Sequence, residues 1–172
     1  MDLRSEILRE HSKKQTMRIV RYVGDDKKRF AVLMKLFLGD EYRISQRAAW
    51  MVNYCAGDHP ELIQPYLGKV IANLKKPGLH AAVKRNTVRL LQYIAIPSRL
   101  MGPAAEACFG LFSSKSEPVA VKCFSMTVLF NICKKEPGLK NELKLMIEEQ
   151  LPYSSAGFRA RAGRTLAALE KL

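Results

Sequence analysis

The chain has 172 residues, 48% of them hydrophobic and 26% charged, the balance of a folded globular protein rather than a disordered one. Lys and Arg number 29 against 16 Asp and Glu, a net charge of +13. That surplus excludes a neutral surface and suits a polyanionic partner (nucleic acid, an acidic protein or an anionic membrane), unless it serves solubility alone. The four cysteines (Cys55, Cys108, Cys123, Cys133) lie in apolar stretches with no CxxC pair, and the three histidines are not spaced as ligands to them. Buried reduced thiols are therefore expected, with no metal and no cofactor. The first residues, Met1-Asp2-Leu3-Arg4-Ser5-Glu6, show no apolar core of a signal peptide. The most apolar run, Phe30 to Leu38, is broken by Lys35 and is too short to span a bilayer. A cytoplasmic protein is expected.

Taken in order, Leu3 to Val23 reads as one helix. Gly24-Asp25-Asp26 then gives a glycine stop and an acidic N-cap for a helix from Lys27 to Leu38. The next helix, Arg43 to Ala56, has Ser45, Ala48, Ala49, Val52, Cys55 and Ala56 on one side, small and apolar enough for close helix packing. Arg43, Arg47, Trp50 and Tyr54 share the opposite side. Gly57-Asp58-His59-Pro60 ends it, and Pro60 suits the first turn of a helix to Leu74. After the turn Lys75-Lys76-Pro77-Gly78, helices are predicted over Ala81 to Ile96, Ser98 to Phe112, Val119 to Cys133, Pro137 to Leu151 and Phe158 to Leu172. No stretch alternates like a strand, so the chain is all-α.

The helices fall into pairs, and the pairs repeat. Val52-Asn53-Tyr54-Cys55 matches Leu91-Gln92-Tyr93-Ile94, Phe130-Asn131-Ile132-Cys133 and, more loosely, Leu169-Glu170-Lys171-Leu172. Asn53, Gln92, Asn131 and Glu170 are each 39 residues apart. A period near 40 residues is that of a helix pair with two short loops, too small to bury its own apolar face and stable only when stacked. On these residues the chain resembles HEAT-repeat proteins, of the small bacterial type. The resemblance implies a right-handed α-solenoid of about four to five helical pairs, residues 1–172 forming one domain. Pro65 and Pro103 fit the bends that HEAT first helices often carry. Glu41 and Arg47 fit the acid and Arg that such repeats join into a ladder, whereas Lys84, Lys122 and Arg161 stand near the Arg position without well-placed acids.

Stacked pairs of this kind put their second helices on an inner, concave side, where such proteins bind. Transferring the Arg43, Arg47, Trp50 and Tyr54 face by one period gives Ala82, Asn86, Arg89 and Tyr93, then the apolar Val121, Ser125, Val128 and Ile132. On the last helix it gives Ala160, Arg164, Ala167 and Lys171. The N-terminal helix supplies His11, Gln15, Arg18 and Tyr22. Lys84, Arg85, Lys122, Arg159 and Arg161 crowd the starts of second helices, where free backbone N–H groups already attract anions. The expected binding residues are Arg43, Arg47, Trp50, Tyr54, Arg85, Arg89 and Tyr93. For Arg47 the competing reading is the structural ladder; for Trp50 it is packing between second helices. His59 and His80, at loop boundaries, are expected to cap helices or face solvent.

No Gly-rich phosphate loop, HExxH or nucleophile elbow is present. DNA alkylation-repair glycosylases are also HEAT-like solenoids with a basic aromatic groove, but they act through an acid. This face carries none, and a cationic transition state without a placed carboxylate is poorly served. The expectation is a non-enzymatic binding or scaffold protein whose concave face takes an acidic protein or peptide. Nucleic acid is the alternative ligand, and self-association through Val121, Val128 and Ile132 is open if they are exposed.

Overall fold

A computed structural model describes every residue, Met1–Leu172. It contains only helices: α1 (Leu3–Arg9), α2 (Lys13–Val23), α3 (Lys27–Phe37), α4 (Tyr42–Asp58), α5 (Pro60–Ile63), α6 (Leu67–Asn73), α7 (Ala81–Leu91), α8 (Ser98–Ser113), α9 (Val119–Cys133), α10 (Lys140–Gln150) and α11 (Ala156–Leu169). Single 3-10 turns at Gln64–Tyr66, Pro137–Leu139 and Leu151–Tyr153 each hold one proline. The helices form two compact units, Met1–Ala95 and Ile96–Leu172. The first holds three helical pairs (α1 with α2, α3 with α4, α5 and α6 with α7), and the second holds two (α8 with α9, α10 with α11).

In the first unit α4 is the central element, packed on α1, α2, α3, α5 and α7. Its small side is buried as expected: Ser45, Ala48, Ala49, Val52, Cys55 and Ala56 are all inside, together with Ile44 and Met51. Short side chains let neighbouring backbones approach, so one helix serves several partners. Second helices α2, α4 and α7 lie side by side in one layer. Asn53 Nδ2 donates to the Asn86 carbonyl at 2.9 Å, fastening α4 to α7. First helices α1 and α3 touch in the other layer, and the Phe30 ring meets Tyr66 edge-on at 5.9 Å.

In the second unit α9 is central, packed on α8, α10 and α11. The Phe112 and Phe158 rings stack at 5.9 Å. Gln150 Nε2 donates to the Phe112 carbonyl at 3.0 Å, tying the end of α10 to the end of α8.

Four expectations change. The first helix is two, because Glu10 is extended and Ser12 caps α2, its hydroxyl accepting from the Gln15 N–H at 3.1 Å. The predicted Pro60–Leu74 helix is interrupted by the 3-10 turn around Pro65, whereas Pro103 sits within an unbroken α8. The helix from Ala81 ends at Leu91 rather than Ile96, since Pro97 biases its predecessor to extended backbone and the chain must turn before it. Finally, Val121, Val128 and Ile132 are 0–2% exposed and Ser125 is wholly inside. This apolar strip is core rather than a surface for self-association.

Candidate binding cleft on the second-helix layer

The site residues lie on α4, on α7 and in the break between α1 and α2. That break is built locally. Asp2 caps α1, its carboxylate accepting from the Ser5 N–H at 3.0 Å, and Ser12 caps α2. His11 is left between two helices with its ring exposed. Gln15, buried at the start of α2, donates to the Glu6 carbonyl and carboxylate at 2.8 and 2.7 Å. The N-terminal pair is thus held at a defined position against α4.

Arg47 completes that anchorage. Its Nη1 donates to the carbonyls of Ile7 and Leu8 at 3.0 Å each. These belong to the last turn of α1, where carbonyls have no partner within the helix and a cation is favoured by the helix dipole. Glu41 binds Arg4 at 2.8 Å, so the ladder expected of Glu41 and Arg47 is not the arrangement here. Arg47 instead joins the first pair to the second by capping α1.

Trp50 stands one turn beyond. Half-buried, its ring meets His11 at 6.1 Å and 84°, and Tyr54 at 6.1 Å and 45°. Across from it α7 presents Arg85 and Arg89, one turn apart and both exposed. His80 caps α7, its Nδ1 accepting from the Ala82 N–H at 3.1 Å. Asn86, expected on the open face, is buried and donates to the Ala82 carbonyl at 3.0 Å.

Between these elements lies a cleft of about 320 Å³, lined by His11, Gln46, Trp50, Ala82, Arg85, Asn86 and Arg89. No carboxylate lines it. Several acids of this unit are committed elsewhere: Glu6 to Arg9 and Arg18, Asp26 to Arg29, Asp40 to Lys76, and Glu41 to Arg4. Two guanidinium groups beside an indole face, without a counter-charge, can take an anion in a planar, bidentate fashion while the ring covers an apolar neighbour.

The structure therefore brings together Trp50, Arg85 and Arg89 of the seven expected residues. Tyr54 meets the Trp50 ring but does not line the cleft. Arg43 is exposed in the first turn of α4, away from the cleft lining, and Tyr93, 78% exposed, lies in the turn after α7 rather than on a helical face. Gln46 is an addition; standing four residues before Trp50, it was readable as the same helical face.

Residues 3–169 match the HEAT repeat domain family. The chain belongs to that family, and its all-α helical-repeat fold is the class expected. No curated protein and no solved structure matches it. HEAT repeats generally act as non-catalytic scaffolds that mediate protein interactions. No helix of this chain is long and apolar enough to cross a membrane.

Proposed function

We propose that this protein is a non-enzymatic scaffold that recognises an acidic segment of a partner protein in the cleft between α4 and α7. The observation that carries this reading is the pairing of Arg85 and Arg89 with Trp50 in a cleft that holds no acid. Arg and Trp are the side chains most often responsible for the large contributions in protein interfaces. A carboxylate from the partner would be gripped by Arg85 and Arg89, and an adjacent apolar side chain would pack on the indole. Asn86 and Gln46 supply neutral hydrogen-bonding groups on the wall. The buried core strip of α9 does not take part.

Nucleic acid is the competing ligand, favoured by the net charge of +13 and by the rings of Trp50 and His11 as stacking surfaces. The two ligands differ in salt response. Phosphate-backbone binding falls linearly in a log–log plot as counterions are released, and a peptide held by one or two carboxylates and a packed side chain falls much less. Titration with an acidic, aromatic-containing peptide and with a single-stranded oligonucleotide, each at low and moderate salt, tests the proposal. Saturable peptide binding with a shallow salt slope supports it. Oligonucleotide binding with a steep slope and no peptide binding replaces it.

A further inference from the structure

A larger cleft than the α4–α7 one lies elsewhere. In the second unit a cleft of about 620 Å³ opens between the α8–α9 loop and the α10–α11 turn, within the roughly 300–1,000 Å³ range of ligand-binding pockets. The corresponding turn-to-turn cleft of the first unit, between the α3–α4 and α6–α7 connections, is only about 190 Å³. There the chain closes itself: Asp40 pairs with Lys76, and the Tyr42 and His80 rings meet at 5.7 Å. In the second unit the Lys122–Gln150 hydrogen bond spans a cleft that stays wide. Tyr153 on the α10–α11 turn is instead 93% exposed.

The lining has a consistent chemistry. Val119 and Met146 make an apolar surface, with the buried Phe158 beneath it and Tyr153 beside it. Lys122, half-buried on the first turn of α9, also faces the cleft. Its ammonium is held at 3.1 Å by Gln150 Oε1, a neutral acceptor, and Gln150 is itself fixed by the Phe112 carbonyl. With its hydrogen bond made to a neutral amide, this partly desolvated ammonium can still pair with an added carboxylate. Lys115 adds a second cation, and Glu117 and Glu149 balance the two. With no net formal charge, the cleft exerts little long-range attraction and must recognise by contact.

We propose that this cleft is a second binding site, taking the C-terminal end of a peptide chain whose last residue is apolar. The free carboxylate would meet the Lys122 ammonium, and the last side chain would lie over Val119 and Met146. A chain end fits because it carries its carboxylate and its side chain on the same carbon. The cation and the apolar surface here likewise share one cleft. The size of the cleft leaves room for the preceding residues against Tyr153. This site is separate from the α4–α7 cleft and does not depend on it.

Calorimetric titration of the full chain tests the proposal with three probes: an acetylated tetrapeptide ending in phenylalanine as the free acid, the same peptide as its C-terminal amide, and N-acetyl-phenylalanine. The free-acid tetrapeptide is expected to bind saturably, the amide to be weaker by about tenfold or more, the size of a lost hydrogen bond to charge, and the single amino acid to be weaker because it lacks the residues that would lie against Tyr153. Lys122→Met should bring the free acid down to the amide. Tyr153→Ala, at a position too exposed to affect folding, should weaken the tetrapeptide, and joint replacement of Arg85 and Arg89 by Ala should leave it unchanged. Equal binding of acid and amide, or undiminished binding by Lys122→Met or Tyr153→Ala, would overturn the proposal. So would absence of binding at millimolar peptide, and N-acetyl-phenylalanine binding as tightly as the tetrapeptide would show a small-acid pocket instead. Loss of binding on replacing the two arginines would place the peptide at the other cleft.

Discussion

Arg47 shows how a residue can look like a binding group and be spent on the fold. It sits on the same side of α4 as Trp50, yet its guanidinium reaches back to the open carbonyls of α1. A seven-residue helix has little stability alone, so removing this cap should be felt there first. Arg47→Met is expected to lower the stability by about 1.5–3 kcal/mol, the range for hydrogen bonds to a charged group, measured by urea denaturation. Amide exchange should rise in α1 before it rises in α4. Arg89→Ala, at an exposed position, should leave stability unchanged and weaken the peptide. At the same scale, burial pushes the thiols of Cys55 and Cys108 up to about 12 from an ordinary value of 9.0. Neither should react with a thiol reagent at pH 8 until the protein unfolds. Because the folded values are raised, the unfolded chain loses these protons first. The thiols' contribution to stability is therefore full below pH 9.0 and declines as pH rises from there towards 12, which urea midpoints at pH 8 and 10 would show.

At the scale of the element, the clearest local signals were the ones with a stereochemical cause. Gly24 takes a positive φ of 51° at the end of α2, and Asp26 accepts from the N–H groups of Lys28 and Arg29 at 2.8 and 3.0 Å. Both were legible as a stop and a cap. The break before Ser12 was missed because His11 and Ser12 were read as helix interior, although Ser12 and Gln15 have the spacing of a cap and its third residue. The end of α7 was misplaced because Gln92 to Ile96 carries no glycine stop. The apolar face of α9 was illegible for a different reason. Val119 to Cys133 is apolar on nearly every side, so periodicity cannot say which face is covered, and a face carried over from α4 fell on core positions. Ser12→Ala and Asp26→Ala should each cost about 1 kcal/mol, measured by thermal or urea unfolding, with Ser12→Ala frayed at α2 alone.

Across the whole molecule, the basic surplus and the repeat period were plain in the sequence, and the period gave the family. The cleft was half legible. The repeat period put Arg89 at the place of Trp50 and the basic start of the helix supplied Arg85, but only packing could show that Arg47 is occupied and that Asn86 is buried. The acids contribute through local contacts. Asp2 is held below its ordinary value by hydrogen bonds from Ser5, Asp26 by the Arg29 backbone N–H, and Asp40 by Lys76. Each folded value lies below the unfolded one, so this stability is complete above about pH 4 and is lost as pH falls through the lowered values. The melting temperature should be flat from pH 8 to 5 and drop on further acidification.

The measurement that bears most directly on the central claim is emission from Trp50, the only tryptophan, during titration with an acidic aromatic-containing peptide. Wild-type protein and the Arg85→Ala, Arg89→Ala double variant would be compared at two salt concentrations. The account predicts a saturable change in emission for the wild type, weakened about tenfold or more in the double variant, with a shallow salt slope and unchanged melting temperatures. Binding unaffected by the double substitution, or emission that responds only to oligonucleotide and falls steeply with salt, would contradict it.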